Sequence, residues 1–198
     1  MDDNTPLESI YKGGFFKNRH KLSWRVDPVC EAIEKAFKFK SIVDVGCAIG
    51  DIVKGFQDRG YVAYGIEGSE AANPFLVTNN IKFHDLRLPL LKDEFRLFDM
   101  VLCLEVAEHI EPEYAAQFVK TLTGLGSQIL VSIAPPGQGG HHHVNCREIG
   151  YWDILFDGYG FKRYDHKTRS VIEAWKPYKD KPGIKAYYHN LHFYGVAE

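Results

Sequence analysis

The chain has 198 residues, the size of one domain around a single core, which leaves no room for a second catalytic domain. Hydrophobic residues at 45% and charged residues at 25% match an ordinary soluble globular chain and exclude a disordered one. With 24 basic against 26 acidic side chains and a formal charge of −2, the molecule as a whole is not the basic body of a nucleic-acid binder, so any anion-binding surface must be local.

In chain order, Met1-Asp2-Asp3-Asn4-Thr5-Pro6 lacks the positive start and apolar stretch of a secretion signal. Asp27-Pro28 predicts a helix start with Asp27 as cap, and Val29, Ile33 and Phe37 recur at a spacing of four along it. Ser41 to Val45 is a short β-branched strand, Gly46 to Gly50 turns it, and a helix runs from Asp51 to Arg59 until Gly60 stops it. Tyr61 to Ile66 reads as a second strand ending at Glu67-Gly68, and Ile81 to Phe83 as a third ending at His84-Asp85. Phe98 to Leu104 is a buried strand, followed by Glu105 and a helix entered at Glu111-Pro112 with Tyr114, Phe118, Val119 and Leu122 on its apolar face. Glu108 and His109, where the loop becomes that helix, read as a cap or surface pair.

Gln128 to Ile133 is the fifth strand. Beyond the loop Ala134 to Val144, Asn145 and Glu148 have the spacing of a capping box for a helix carrying Ile149, Trp152 and Leu155. Phe161 to Tyr164 and His189 to Val196 supply two last strands around a basic, aromatic connection. Strands alternating with helices predict a single three-layer α/β/α domain over residues 1–198, with a mainly parallel seven-stranded sheet covered on both faces. The longest apolar run, Met100 to Ala107, is broken by Glu105 and falls far short of the roughly 20 residues a membrane span needs. Cys30, Cys47, Cys103 and Cys146 form no C-x-x-C pair and read as reduced packing thiols of a cytoplasmic protein.

Ligands of such sheets bind at the carboxyl ends of the strands, and here acids gather there: Asp44, Glu67 and Asp85. A dinucleotide fingerprint laid on Gly46 fails, because its second glycine is Ala48 and its third is Asp51, whose carboxylate at the helix mouth would repel a pyrophosphate. A cationic ligand without phosphate suits these residues better. The segment Val43-Asp44-Val45-Gly46-Cys47-Ala48-Ile49-Gly50 resembles the first motif of the class I S-adenosylmethionine-dependent methyltransferases, with Ala48 in place of the middle glycine. Glu67 falls 21 residues after Gly46, where that family places the acid that binds the ribose hydroxyls. His84-Asp85-Leu86 and the stretch from Phe98 to Ile110 are similar to its third and fourth motifs.

The resemblance implies a Rossmann-like methyltransferase of the small-molecule type. Its cofactor would be S-adenosyl-L-methionine, leaving as S-adenosyl-L-homocysteine, held by Asp44, Gly46, Cys47, Ala48, Gly50, Glu67, Gly68, Asp85, Leu86, Glu105 and Val106. It divides the chain into a cap and first helix over 1–40, a cofactor-binding half over 41–133 and a substrate-side half over 134–198. Methyl transfer to a hydroxyl needs a base, and one of His141, His142 and His143, after the fifth strand, is expected as general base or orienting group. Consecutive histidines rarely converge on one ion without ligands from elsewhere, so no metal is assigned. The resemblance places acceptor specificity before the first strand and after the fourth and fifth. The basic, aromatic segment Tyr11 to Val26 therefore reads as a cap, and Tyr11, Trp24, Arg25 and Arg163 as substrate-binding residues. From Lys162 to Lys185 eight basic residues face three acids, which suggests an anionic acceptor such as a nucleotide-linked sugar, methylated on oxygen or nitrogen.

A nucleic-acid acceptor is disfavoured by the absence of an appended binding domain, and by Leu104-Glu105-Val106-Ala107 where the resemblance would lead one to expect an Asn/Asp-Pro-Pro-aromatic motif. A non-catalytic, partner-binding module of the same fold is the reading from another class.

Overall fold

A computed structural model describes residues 6–90 and 96–197; residues 1–5, on which the reading of the N-terminus rests, lie outside them. A short helix α1 (Leu7–Ile10) and α2 (Gly13–Arg19) lead through a 3-10 turn into α3 (Val26–Ala36). Then follow β1 (Ser41–Val45), α4 (Asp51–Asp58), β2 (Val62–Glu67), β3 (Ile81–Phe83) and β4 (Met100–Leu104). The second half runs α5 (Ala115–Leu125), β5 (Gln128–Ser132), α6 (Ile149–Asp157), β6 (Phe161–Arg163), α7 (Arg169–Trp175), α8 (Lys185–Asn190) and β7 (Leu191–Val196).

The strands form one seven-stranded sheet in the order β3-β2-β1-β4-β5-β7-β6. Pairings are parallel from β3 to β5, and β7 runs antiparallel to both β5 and β6. Because side chains alternate along a strand, each central strand feeds two cores. Val43, Val101, Cys103, Ile129 and Val131 face α5 and α6, packing with Phe118, Leu122 and Trp152. Ile42, Met100, Leu102 and Leu130 face the opposite layer of α3, α4 and α7 with Ile33, Phe56 and Trp175. A third cluster packs Phe16 of α2 against Ala48, Ile49 and Ala72, seating the N-terminal segment on the glycine loop. No helix among the described residues is long and apolar enough to cross a membrane.

Three local expectations are corrected. α3 starts one residue before Asp27, continuing the preceding 3-10 turn, and the Asp27 carboxylate pairs with Arg59 at 2.6 Å rather than capping. The capping box at Asn145 does not form: Glu148 stands at the cap of α6 without a side-chain bond, while Asn145 is buried with its N–H donating to the Glu108 carbonyl at 3.0 Å. The stretch expected to open the last strand at His189 is instead the end of α8, and β7 starts at Leu191.

Candidate functional site

Order reverses between β1 and β4, the switch point where open α/β sheets bind ligands. A cleft opens there. Its floor is built from the loops that follow the parallel strands: Gly46 and Ala48 after β1, Glu67, Gly68 and Ser69 after β2, Asp85 to Arg87 after β3, and Glu105, Val106, His109, Ile110 and Glu111 after β4. Leu7, Tyr11, Phe15, Phe16 and Arg19 roof it, and His142 closes one side from the loop after β5.

The floor requires its glycines. Gly46 has φ +77°, and a Cβ there would stand 2.3 Å from Val106 Cγ2. Gly50, at φ +76°, caps α4, and a Cβ would meet Ile81 Cδ1 at 2.4 Å. Glu67 ties two loops together, its Oε2 accepting the Ala48 N–H at 2.8 Å and its Oε1 the Ser69 N–H at 2.9 Å. Asp85 is held by the Arg87 guanidinium, Oδ2 to Nη2 at 2.7 Å, and by the Arg87 N–H. Glu105 Oε1 accepts the Ser132 hydroxyl at 2.9 Å and Asn190 Nδ2 at 3.3 Å. Ala48, Glu105 and His142 are the only non-glycine residues with positive φ among the described residues, at 52°, 57° and 56°, and all three line this cleft. Left-handed backbone gathered in this way is a mark of functional sites.

Electrostatically the floor is a crowd of desolvated acids. Burial, with Asp51 and Glu67 nearby, pushes the Asp44 carboxyl up to about 7. Glu67 is raised by burial although its backbone N–H donors oppose the shift. Burial also acts to raise Asp85, but the Arg87 hydrogen bonds outweigh it and hold that carboxyl below its ordinary value. Such a floor favours a bound cation.

The three histidines part company. His141 turns its Nε2 to the Ile10 carbonyl at 2.9 Å and packs against Tyr11 and Phe15, latching the roof. His142 faces the cleft with a buried Nε2 that has no hydrogen-bond partner. His143 points behind the wall, with Nδ1 on the Gln138 carbonyl at 3.1 Å and Nε2 4.0 Å from Glu108 Oε1.

Several expectations move. Glu108 and His109 are not a cap or surface pair: Glu108 is fully buried, its carboxyl pushed up to about 9 by burial and by Glu105, and His109 lines the cleft, lowered by burial to about 4. Arg25 does not line the cleft: it is buried and paired with Asp51 at 3.1 Å, and the same pair neutralises the charge expected at the mouth of α4. Trp24 packs on Tyr178 and Lys181, away from the cleft. Arg163 pairs in register with Tyr194, itself level with Ile129 at the amino end of β5, so it lies at the wrong end of the sheet and is engaged by Asp153 and Asp165. The basic stretch 162–185 contributes no residue to the cleft. Asp44, Cys47 and Gly50 sit behind the floor, while Gly46, Ala48, Glu67, Gly68, Asp85, Leu86, Glu105, Val106 and Tyr11 line it. Sequence reasoning gave no site role to Arg87, Glu111 or His109, and set Arg19 only within the basic, aromatic cap of residues 11–26. The one available signal was the pair Glu108-His109 directly after an acid-ended strand.

A family model described as "Methyltransferase domain" matches residues 17–174. The chain is 29% identical over 133 residues to a protein of Rickettsia bellii named Ubiquinone biosynthesis O-methyltransferase, covering 62% of this chain and 55% of that one. The chain thus spans about half the length of the curated relative it matches. In fold it resembles the magnesium protoporphyrin IX methyltransferase of Synechocystis with bound SAH, with TM-score 0.53, 20% identity and 74% and 76% of the two chains covered. It also resembles human N-acetylserotonin methyltransferase in complex with SAM, with TM-score 0.60, 13% identity and 100% and 61% covered.

Proposed function

The chain belongs to the methyltransferase-domain family, and on that premise we propose that it transfers a methyl group from S-adenosylmethionine to an oxygen of a small, largely apolar molecule. The observation that carries this reading is the cleft's two-sided character: desolvated acids below, an aromatic roof above. The cofactor fits the floor, since its positive charge relieves the crowd of carboxylates and the bare backbone at Gly46 allows close approach.

In this reading Glu67 accepts the ribose hydroxyls, Asp85 and Leu86 hold the adenine, and Gly46, Ala48, Gly68, Glu105 and Val106 surround the methionine portion. Asp44, Cys47 and Gly50 shape the loop from behind. Arg19, a cation in the roof above the acidic floor, takes the cofactor's carboxylate. When bound, the cofactor supplies an electrophilic methyl carbon on a sulfonium. The acceptor is seated under Tyr11, Phe15 and Phe16, and His142 Nε2 takes the proton its hydroxyl loses. The curated relatives named as O-methyltransferases favour oxygen over nitrogen. An anionic acceptor loses its support, because Arg25 and Arg163 are already paired with acids of the chain.

Calorimetric titration with S-adenosylhomocysteine and with NAD tests the cofactor. Micromolar binding of the first, weakened about tenfold or more in Glu67→Ala and Arg19→Met, with none of the second, is expected, a loss of about 1.4 kcal/mol or more. Binding of NAD, or of neither ligand, would overturn the assignment. Turnover of an aromatic alcohol, with nucleotide sugars inert, is the expected outcome of an acceptor screen.

A further inference from the structure

We propose that Glu108, His109 and His143 form a binding site for one divalent transition-metal ion, Zn²⁺ in the first instance, in the wall of the cleft. One ligand atom from each residue lies within 4.8 Å of the other two. The sequence reading assigned no metal because consecutive histidines rarely converge on one ion without ligands from elsewhere. The fold removes that objection by taking a single histidine from the triplet and two ligands from the segment after β4.

Three features make this a built site. Glu108 is wholly buried, neither carboxylate oxygen makes a hydrogen bond of normal geometry, and the Glu105 carboxyl lies against it, so two acids share a dry place that a cation would relieve. Both imidazoles are oriented from behind: His109 Nδ1 meets the His142 carbonyl at 3.0 Å and His143 Nδ1 the Gln138 carbonyl at 3.1 Å. A carbonyl oxygen only accepts, so each ring carries its proton on Nδ1 and offers the Nε2 lone pair, the outer-shell arrangement typical of metal-bound histidine. Finally, Gly140 makes room for the His143 ring, since a Cβ there would stand 2.0 Å from its Nε2.

The rings meet edge to face with centroids 4.9 Å apart, and His143 Nε2 is 4.0 Å from Glu108 Oε1. Small side-chain rotations bring the donors to the ~2.0–2.2 Å that Zn²⁺ takes from nitrogen and oxygen. Two imidazoles and one carboxylate suit Zn²⁺ or another first-row ion better than Mg²⁺ or Ca²⁺, which prefer oxygen. Three protein ligands leave a coordination position open, and His109 belongs to the cleft wall as well as to the trio. That the open position holds the acceptor oxygen rests on the methyl-transfer reading; binding of the ion does not.

The experiment uses tag-free protein stripped with a chelator and titrated with Zn²⁺ by calorimetry without cofactor or acceptor, and with Co²⁺ by visible absorption. One equivalent of Zn²⁺ bound at or below micromolar Kd is expected, with Co²⁺ bands of low coordination number. Glu108→Gln and His143→Ala should weaken it by more than the ~10–100-fold of outer-shell changes. Gly140→Val, which keeps all three ligands but expels the His143 ring, should weaken it as well, whereas His141→Ala should leave it intact. Glu108→Gln is isosteric with a carboxyl that burial and Glu105 already hold in its neutral form, so its fold, checked by circular dichroism, is expected to survive. No binding, millimolar binding only, a preference for Mg²⁺, or indifference to Glu108→Gln and Gly140→Val would each overturn the site. Because no cofactor is present, failure of S-adenosylhomocysteine to bind cannot produce any of these results.

Discussion

Ala48 occupies a left-handed backbone position that costs an L-residue about 1–2 kcal/mol and glycine almost nothing. As glycine also loosens the unfolded chain by roughly 0.4–1 kcal/mol, Ala48→Gly should shift stability by about 0–1.6 kcal/mol in urea melts, in the stabilising direction. Gly46→Ala should do the opposite. Its Cβ would drive into Val106 on the cleft floor, so S-adenosylhomocysteine affinity should fall more than stability does. The alanine was visible in the sequence as a departure from a glycine pattern, but the matching left-handed conformations of Glu105 and His142 were not. No residue type announces them, and they follow from how the strand ends meet the loops.

Among elements, the buried pair Arg25–Asp51 joins the turn before α3 to the first turn of α4. Arg25→Met leaves Asp51 buried without its partner and should cost about 3–5 kcal/mol in a denaturant titration. A role in holding an acceptor would instead raise KM and spare stability. Strand and helix order was legible because apolar periodicity switches sharply between β1, α4 and β2. Long-range partners were not: Arg163 could be excluded from the cleft only once the antiparallel register of β6 on β7 set it at the amino end of β5. The α3 boundary failed for a related reason, since Asp27 is drawn off by Arg59, 32 residues away in the chain.

The whole molecule is nearly neutral, yet it gathers carboxylates at one end of its sheet, and the ligand-free fold bears the repulsion. Asp44 holds its proton more tightly folded, at about 7, than its ordinary 3.8. Its contribution to stability is therefore present in full below about pH 4 and is lost as pH rises toward 7. Asp44→Asn should raise the Tm of the ligand-free protein at pH 8, leave it little changed at pH 4, and weaken cofactor binding. Equal Tm gains at both pH values would assign the effect to packing instead.

The roof over the cleft comes from residues 7–19, but what it rests on comes from residue 46 onward, and its latch to His141 spans 131 residues of chain. A nascent chain makes this segment before any surface exists to receive it. Docking must wait until the loop after β5 has been synthesised, so the roof is an early-made part that is seated late. With contacts of such high sequence separation and few buried side chains of its own, it should exchange its amide hydrogens well before the sheet does. A roof that opens this readily would let a bulky ligand in and out without disturbing the strands beneath.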